Sequence, residues 1–138
     1  MIPLYIEKFD YDEFACKCKE DCYGKNINPI NFPNIDGVVF YLTHLRKVFK
    51  RKHRTTNVQI WITSGLRCVD HNKNVGGVAD SDHLELAAVD IQIYVKGIKI
   101  KDEIVLQTVK AELPLFVRYV ALTSNRGAVH ISFRKECL

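Results

Sequence analysis

The spacing of apolar positions changes several times along the chain, and the changes divide it into elements. Val38, Tyr41, Leu42, Leu45, Val48 and Phe49 recur at helical spacing. They predict one face of a helix that starts with Asp36 as its N-cap and ends near Lys52. From Val58 to Thr63 the period drops to two and the residues become β-branched and aromatic, which predicts a strand closed by Ser64-Gly65. Asp70 to Val75 suit a short helix stopped by Gly76-Gly77, with a loop running on through Ser81. Val89, Ile91 and Ile93 then alternate with Asp90 and Gln92, as in a half-buried strand, and Lys96-Gly97 reads as a turn. A second helix is expected to have Asp102 as its cap, Ile104, Val105, Val109 and Leu113 as its stripe, and Pro114 as its stop. Two more strands follow, 117–123 and 128–133, joined by a hairpin turn at Ser124-Asn125-Arg126-Gly127.

The same alternation sorts the polar residues by face. With Val129, Ile131 and Phe133 in the core, His130 and Ser132 point the other way, and Asp90 does so on the earlier strand. If both strands join one sheet, Asp90 and His130 share an open face, and His83 can reach it from the loop before the first strand. Two histidines and an aspartate form the ligand set of a catalytic zinc site, where the fourth position is left to water. A lone strand histidine is also commonly just a hydrogen-bonded boundary residue. An aspartate within an apolar strand is harder to accommodate, because a buried carboxylate without a partner is costly.

With 138 residues, 47% apolar and 26% charged, the chain fits a soluble globular protein, expected as a single domain over residues 1–138. No repeat or low-complexity segment divides it, and residues 24–33 read as an irregular loop. The layout predicts an α+β fold with helices on one face of a small antiparallel sheet and the metal site on the other. No apolar run is long enough for membrane insertion. Met1-Ile2-Pro3-Leu4-Tyr5 lacks a basic leader, so synthesis in the cytoplasm without a signal peptide is expected. The net charge of +4 is concentrated between Arg46 and Arg54. Such a run can contact nucleic acid or an anionic polymer, but it also suits a solvated helix end, and no nucleic-acid reader motif accompanies it. The five cysteines are Cys16, Cys18, Cys22, Cys68 and Cys137. The first four could form a thiolate metal site, but the tight Cys-x-Cys spacing favours free thiols or one disulfide.

Several segments in order add a resemblance. Ser64-Gly65-Leu66-Arg67, His71-Asn72, Val75-Gly76-Gly77, Ser81-x-His83, Ala88-x-Asp90 and Val129-His130-Ile131 resemble zinc peptidases of the M15 group. That group includes D-alanyl-D-alanine carboxypeptidases and phage L-alanyl-D-glutamate endolysins, with the hedgehog/DD-peptidase fold. The resemblance covers nearly the whole chain and implies His83, Asp90 and His130 as ligands to one zinc ion per chain. It makes Arg67 the catalytic arginine that holds substrate or a polarised carbonyl, where a plain structural salt bridge is the competing reading. Ser81 would orient the ligand loop or contact substrate, or act simply as a turn residue. The implied substrate is the stem peptide of peptidoglycan, cleaved by a monomer that reaches the cell wall after release.

The chain departs from the family pattern where proton transfer is concerned. Many members carry an acid three positions before the last histidine or two after it, and these positions hold Gly127 and Ser132. The usual S-x-H-x-x-G-x-A-x-D motif also has Leu86 in place of its glycine. No general base is assigned; Asp80, Asp82, Glu85 and Glu136 read as surface acids. A catalytically inactive member, keeping zinc while binding cell-wall peptide or a protein partner, is therefore the alternative to an enzyme.

Overall fold

The computed structural model describes residues 9–123 and 127–138. Met1 to Tyr5 and the turn residues Ser124 to Arg126 lie outside them. Helix α1 spans Ile35–His53, and all six residues of its expected apolar face are buried. Its start differs from expectation. Asn34 holds the N-cap position without a side-chain cap bond, and its amide donates instead to the Glu85 carbonyl at 3.0 Å. Asp36 lies inside the first turn, where it favours the positive end of the helix dipole and accepts from the Tyr11 hydroxyl at 2.5 Å. The other end stops at Arg54, left-handed at φ 51°, with Lys50, Arg51, Lys52 and His53 in the last turn. Most of the basic run is thus a helix C-terminus, where cations meet the exposed carbonyls. Arg46 is different: it is buried, with its guanidinium 4.1 Å from the Phe9 ring centre.

The strands are β1 (Val58–Ser64), β2 (Ala88–Val95), β3 (Ile98–Lys99), β4 (Val117–Leu122) and β5 (Val129–Phe133). They form one antiparallel sheet in the order β1-β2-β5-β4, with β3 paired to the end of β2. The β2–β3 turn is Lys96-Gly97 as expected, at φ 52° and 78°. Two consecutive left-handed residues match the right-handed twist of the flanking strands. Short helix α2 (Val69–Asn74) follows β1, and α3 (Asp102–Ala111) precedes β4.

Side chains from β2 and β5 (Val89, Ile91, Ile93, Val129, Ile131, Phe133) share one apolar cluster with Tyr41 and Leu45 of α1 and Val105 and Val109 of α3. Tyr41 meets Phe133 edge-on at 5.2 Å between ring centres, a geometry that suits the ring quadrupoles. The fold is therefore α+β, with a small antiparallel sheet carrying helices, as the alternation predicts. The stripe of α3 needs correction. Ile104 is 47% exposed, and Leu113 lies past the helix end at φ 45°. Thr108 is buried instead, its hydroxyl donating to the Ile104 carbonyl at 2.8 Å. Asp102 is the first helical residue rather than the cap, and it pairs with Lys99 at 2.7 Å. Among the described residues, no helix is long and apolar enough to cross a membrane.

The sheet face opposite the core is not open. His83, Asp90 and Ser132 are all buried, because the segment carrying Arg67, Ser81 and His83 folds over β2 and β5. That cover is the basis of the site.

Candidate metal centre

Asp90 and His130 are directly opposite in the β2–β5 ladder, a register that brings Cβ atoms to about 5 Å on one face. His130 Nδ1 accordingly lies 2.8 Å from Asp90 Oδ1. His83 arrives from a single 3-10 turn, Asp82–Glu85. Ser81 caps that turn, its Oγ accepting from the His83 N–H at 3.2 Å. Leu86 closes it in the left-handed region, φ 56° and ψ 36°. His83 Nε2 then stands 3.2 Å from Asp90 Oδ1 and 3.3 Å from His130 Nδ1.

The outer nitrogens decide what faces inward. His83 Nδ1 lies 2.7 Å from the Gly65 carbonyl. A carbonyl only accepts, so Nδ1 carries the proton and Nε2 presents a lone pair. His130 Nε2 lies 2.8 Å from Ser132 Oγ, which can accept a hydrogen bond from a protonated Nε2 and leave Nδ1 as a second lone pair. Two nitrogen lone pairs and a carboxylate oxygen therefore converge within 3.3 Å. Acceptors so close require a cation or a proton between them. The three side chains are placed to hold a metal ion, and the N,N,O donor set suits zinc. Where protons rather than a metal fill the centre, burial would raise the Asp90 pKa, but hydrogen bonds from protonated His130 and His83 outweigh it and hold the carboxyl well below the usual range.

Arg67 grips the second oxygen of the same carboxylate. Its Nη2 donates to Asp90 Oδ2 at 3.3 Å, Nη1 to Asn72 Oδ1 at 3.3 Å, and Nε to Ser64 Oγ at 3.2 Å. Asn72, buried on α2, also donates to the Val78 carbonyl at 2.8 Å, joining α2 to the loop before Ser81. Gly77 makes this possible, because a Cβ there would meet Asn72 Oδ1 at 2.1 Å. Gly65 is equally constrained: a Cβ would lie 2.5 Å from the Phe14 carbonyl, which accepts from the Leu66 N–H at 2.9 Å.

The centre opens into a cleft of about 930 Å³. Besides Asp90, the acids lining it are Asp80 and Asp82, and Asp82 is ion-paired to Arg118. Glu85 pairs instead with Lys135, and Glu136 is exposed on the C-terminal segment.

A family model described as Peptidase M15 matches residues 7–131. The chain belongs to the M15 peptidase family. M15 peptidases are zinc-dependent metallopeptidases, and the match encloses Arg67, Ser81, His83, Asp90 and His130. No curated protein and no solved structure matches the chain.

The structure brings together all five residues singled out in this M15 sequence and adds others. Ser132 was legible as lying on the His130 face, but not as its hydrogen-bond partner. Asn72 belongs to the family-like His-Asn pair, yet nothing in the sequence ties it to Arg67. The Gly65 carbonyl, which sets the His83 tautomer, carries no side-chain signal at all.

Proposed function

We propose that this M15 protein is a zinc-dependent peptidase acting on the stem peptides of peptidoglycan, in the manner of a phage or prophage endolysin. The reading rests on the convergence of His83 Nε2, Asp90 Oδ1 and His130 Nδ1 at the base of a large cleft. In it, these three side chains hold one zinc ion. A zinc ion held there would supply the Lewis acidity that activates a water and polarises a scissile carbonyl. Arg67 fixes Asp90 through one N–H and has donors beyond the three engaged ones for a peptide carboxylate or a developing oxyanion. Ser81 sets the ligand turn by capping it. The protein acts as a monomer on the cell wall after release from the cytoplasm.

A second reading has its own observation. Gly127 and Ser132 stand where many members carry an acid, and Asp82 is engaged by Arg118. A zinc-holding member without turnover would bind cell-wall peptide or a protein partner instead. Incubating the zinc-loaded protein with purified peptidoglycan and synthetic stem peptides, with products read by mass spectrometry, separates the two. The peptidase reading expects new termini at one bond type and no cleavage by His83→Ala. Intact peptides after prolonged incubation, with zinc still bound, would establish the second reading.

A further inference from the structure

A second cluster of ligand atoms lies outside the centre described above. Cys16, Cys18, Cys22 and Cys68 bring four sulfur atoms within 4.8 Å of one another. Three come from the segment around the 3-10 turn Tyr23–Lys25, and the fourth is the N-cap of α2. Cys18 Sγ stands 3.6 Å from Cys22 Sγ and 3.9 Å from Cys68 Sγ. A tetrahedral tetrathiolate with zinc–sulfur bonds of about 2.3 Å has sulfur–sulfur edges of about 3.8 Å. The observed separations fall on either side of that figure. They also leave Cys18 uncommitted to either neighbour, whereas a disulfide selects one partner at about 2.05 Å.

The surroundings are those of thiolates. Backbone N–H groups point at three of the sulfurs: Gly24 to Cys22, Cys68 to Cys16, and His71 to Cys68, each at 3.4 Å. Such donors stabilise charged sulfur more than a neutral thiol. Lys25 Nζ donates to the carbonyls of Cys16 and Cys18, placing a cation against the cluster.

We propose that Cys16, Cys18, Cys22 and Cys68 bind a second, structural zinc ion as four thiolates. The site is independent of the peptidase reading and uses none of its residues. Binding takes one Zn²⁺ and releases to solvent the protons still held by the four thiols, leaving a closed site with net charge of minus two. It pins the 16–25 segment to the start of α2, beside Arg67, whose carbonyl already accepts from the Tyr23 hydroxyl at 3.5 Å. Zinc there makes the N-terminal segment part of the support for the site arginine.

The test counts zinc in the full chain purified under reducing conditions without chelator. Wild type is expected to hold two zinc ions per chain, and the His83→Ala/His130→Ala variant one. In that variant, thiol reagents should modify four cysteines only as zinc is released, in a ratio of four thiols to one ion. Cobalt substitution should give intense thiolate-to-metal charge-transfer absorption, lost in Cys18→Ser. If Cys18→Ser fails to fold, the histidine variant still decides the matter. Zinc-free histidine variant with five freely reactive thiols would overturn the proposal. So would a mass deficit showing a disulfide among the four, or iron in place of zinc.

Discussion

At the scale of single residues, Leu86 shows how a departure from the family pattern is absorbed. The turn carrying His83 ends in the left-handed region, which explains why the family motif has glycine at this position. Here a leucine adopts that conformation, at a cost of about 1–2 kcal/mol. Its side chain is fully buried in the core cluster, and burying a leucine stabilises by roughly 1.5–3 kcal/mol, so packing offsets the strain. Substitution should then reverse the usual order of alanine and glycine. Leu86→Ala loses the packing, about 2–5 kcal/mol, and keeps the strain. Leu86→Gly loses the same packing but relaxes the backbone, so it should be the milder change by about 0.5–1 kcal/mol. Urea denaturation at constant zinc measures both; a glycine variant less stable than the alanine variant would contradict this account of the turn.

At the scale of elements, periodicity was the most informative part of the sequence. The apolar face of α1 and the alternation of β1 are borne out. On β2 and β5 the expected apolar residues join the core, but Asp90 and Ser132 opposite them are buried rather than open. The alternation alone put Asp90 and His130 on one face. Helix starts were less legible. Asp36 and Asp102 both read as caps and both lie within the first turn instead, one or two residues past the cap, since aspartate is favoured at either position for the same electrostatic reason. The cover over the site was invisible, because residues 76–87 follow neither the helical nor the strand period; side-chain anchors such as Asn72 hold them. That makes Asn72 the element-scale test. Asn72→Ala removes bonds to Arg67 and to the Val78 carbonyl, a loss of roughly 1–3 kcal/mol for the two together. Arg67 loses one of three restraints, so any peptidase activity should fall while the zinc count stays unchanged. A drop in bound zinc would instead show that α2 supports the ligands themselves.

At the scale of the molecule, both clusters cross-link segments far apart in sequence. His83, Asp90 and His130 join the covering loop to β2 and β5, while the thiol cluster joins residues 16–22 to Cys68. Neither arrangement exists in the unfolded chain, so zinc held at the proposed sites would favour the native state and raise its stability with free metal concentration. Each saturated site contributes RT ln(1 + [Zn]/Kd), about 1.4 kcal/mol per tenfold rise in free zinc. With both sites filled the dependence should approach about 2.7 kcal/mol per tenfold rise, reduced by any zinc retained on unfolded thiols. His83→Ala/His130→Ala should halve it, and Cys18→Ser should halve it independently. Chemical denaturation in zinc buffers of stepped free concentration provides the measurement. A wild-type slope equal to that of the cysteine variant would mean that the four thiols lend no metal-linked stability, whatever their spacing. A slope unchanged by the histidine substitutions would mean that His83 and His130 hold no zinc in the folded chain.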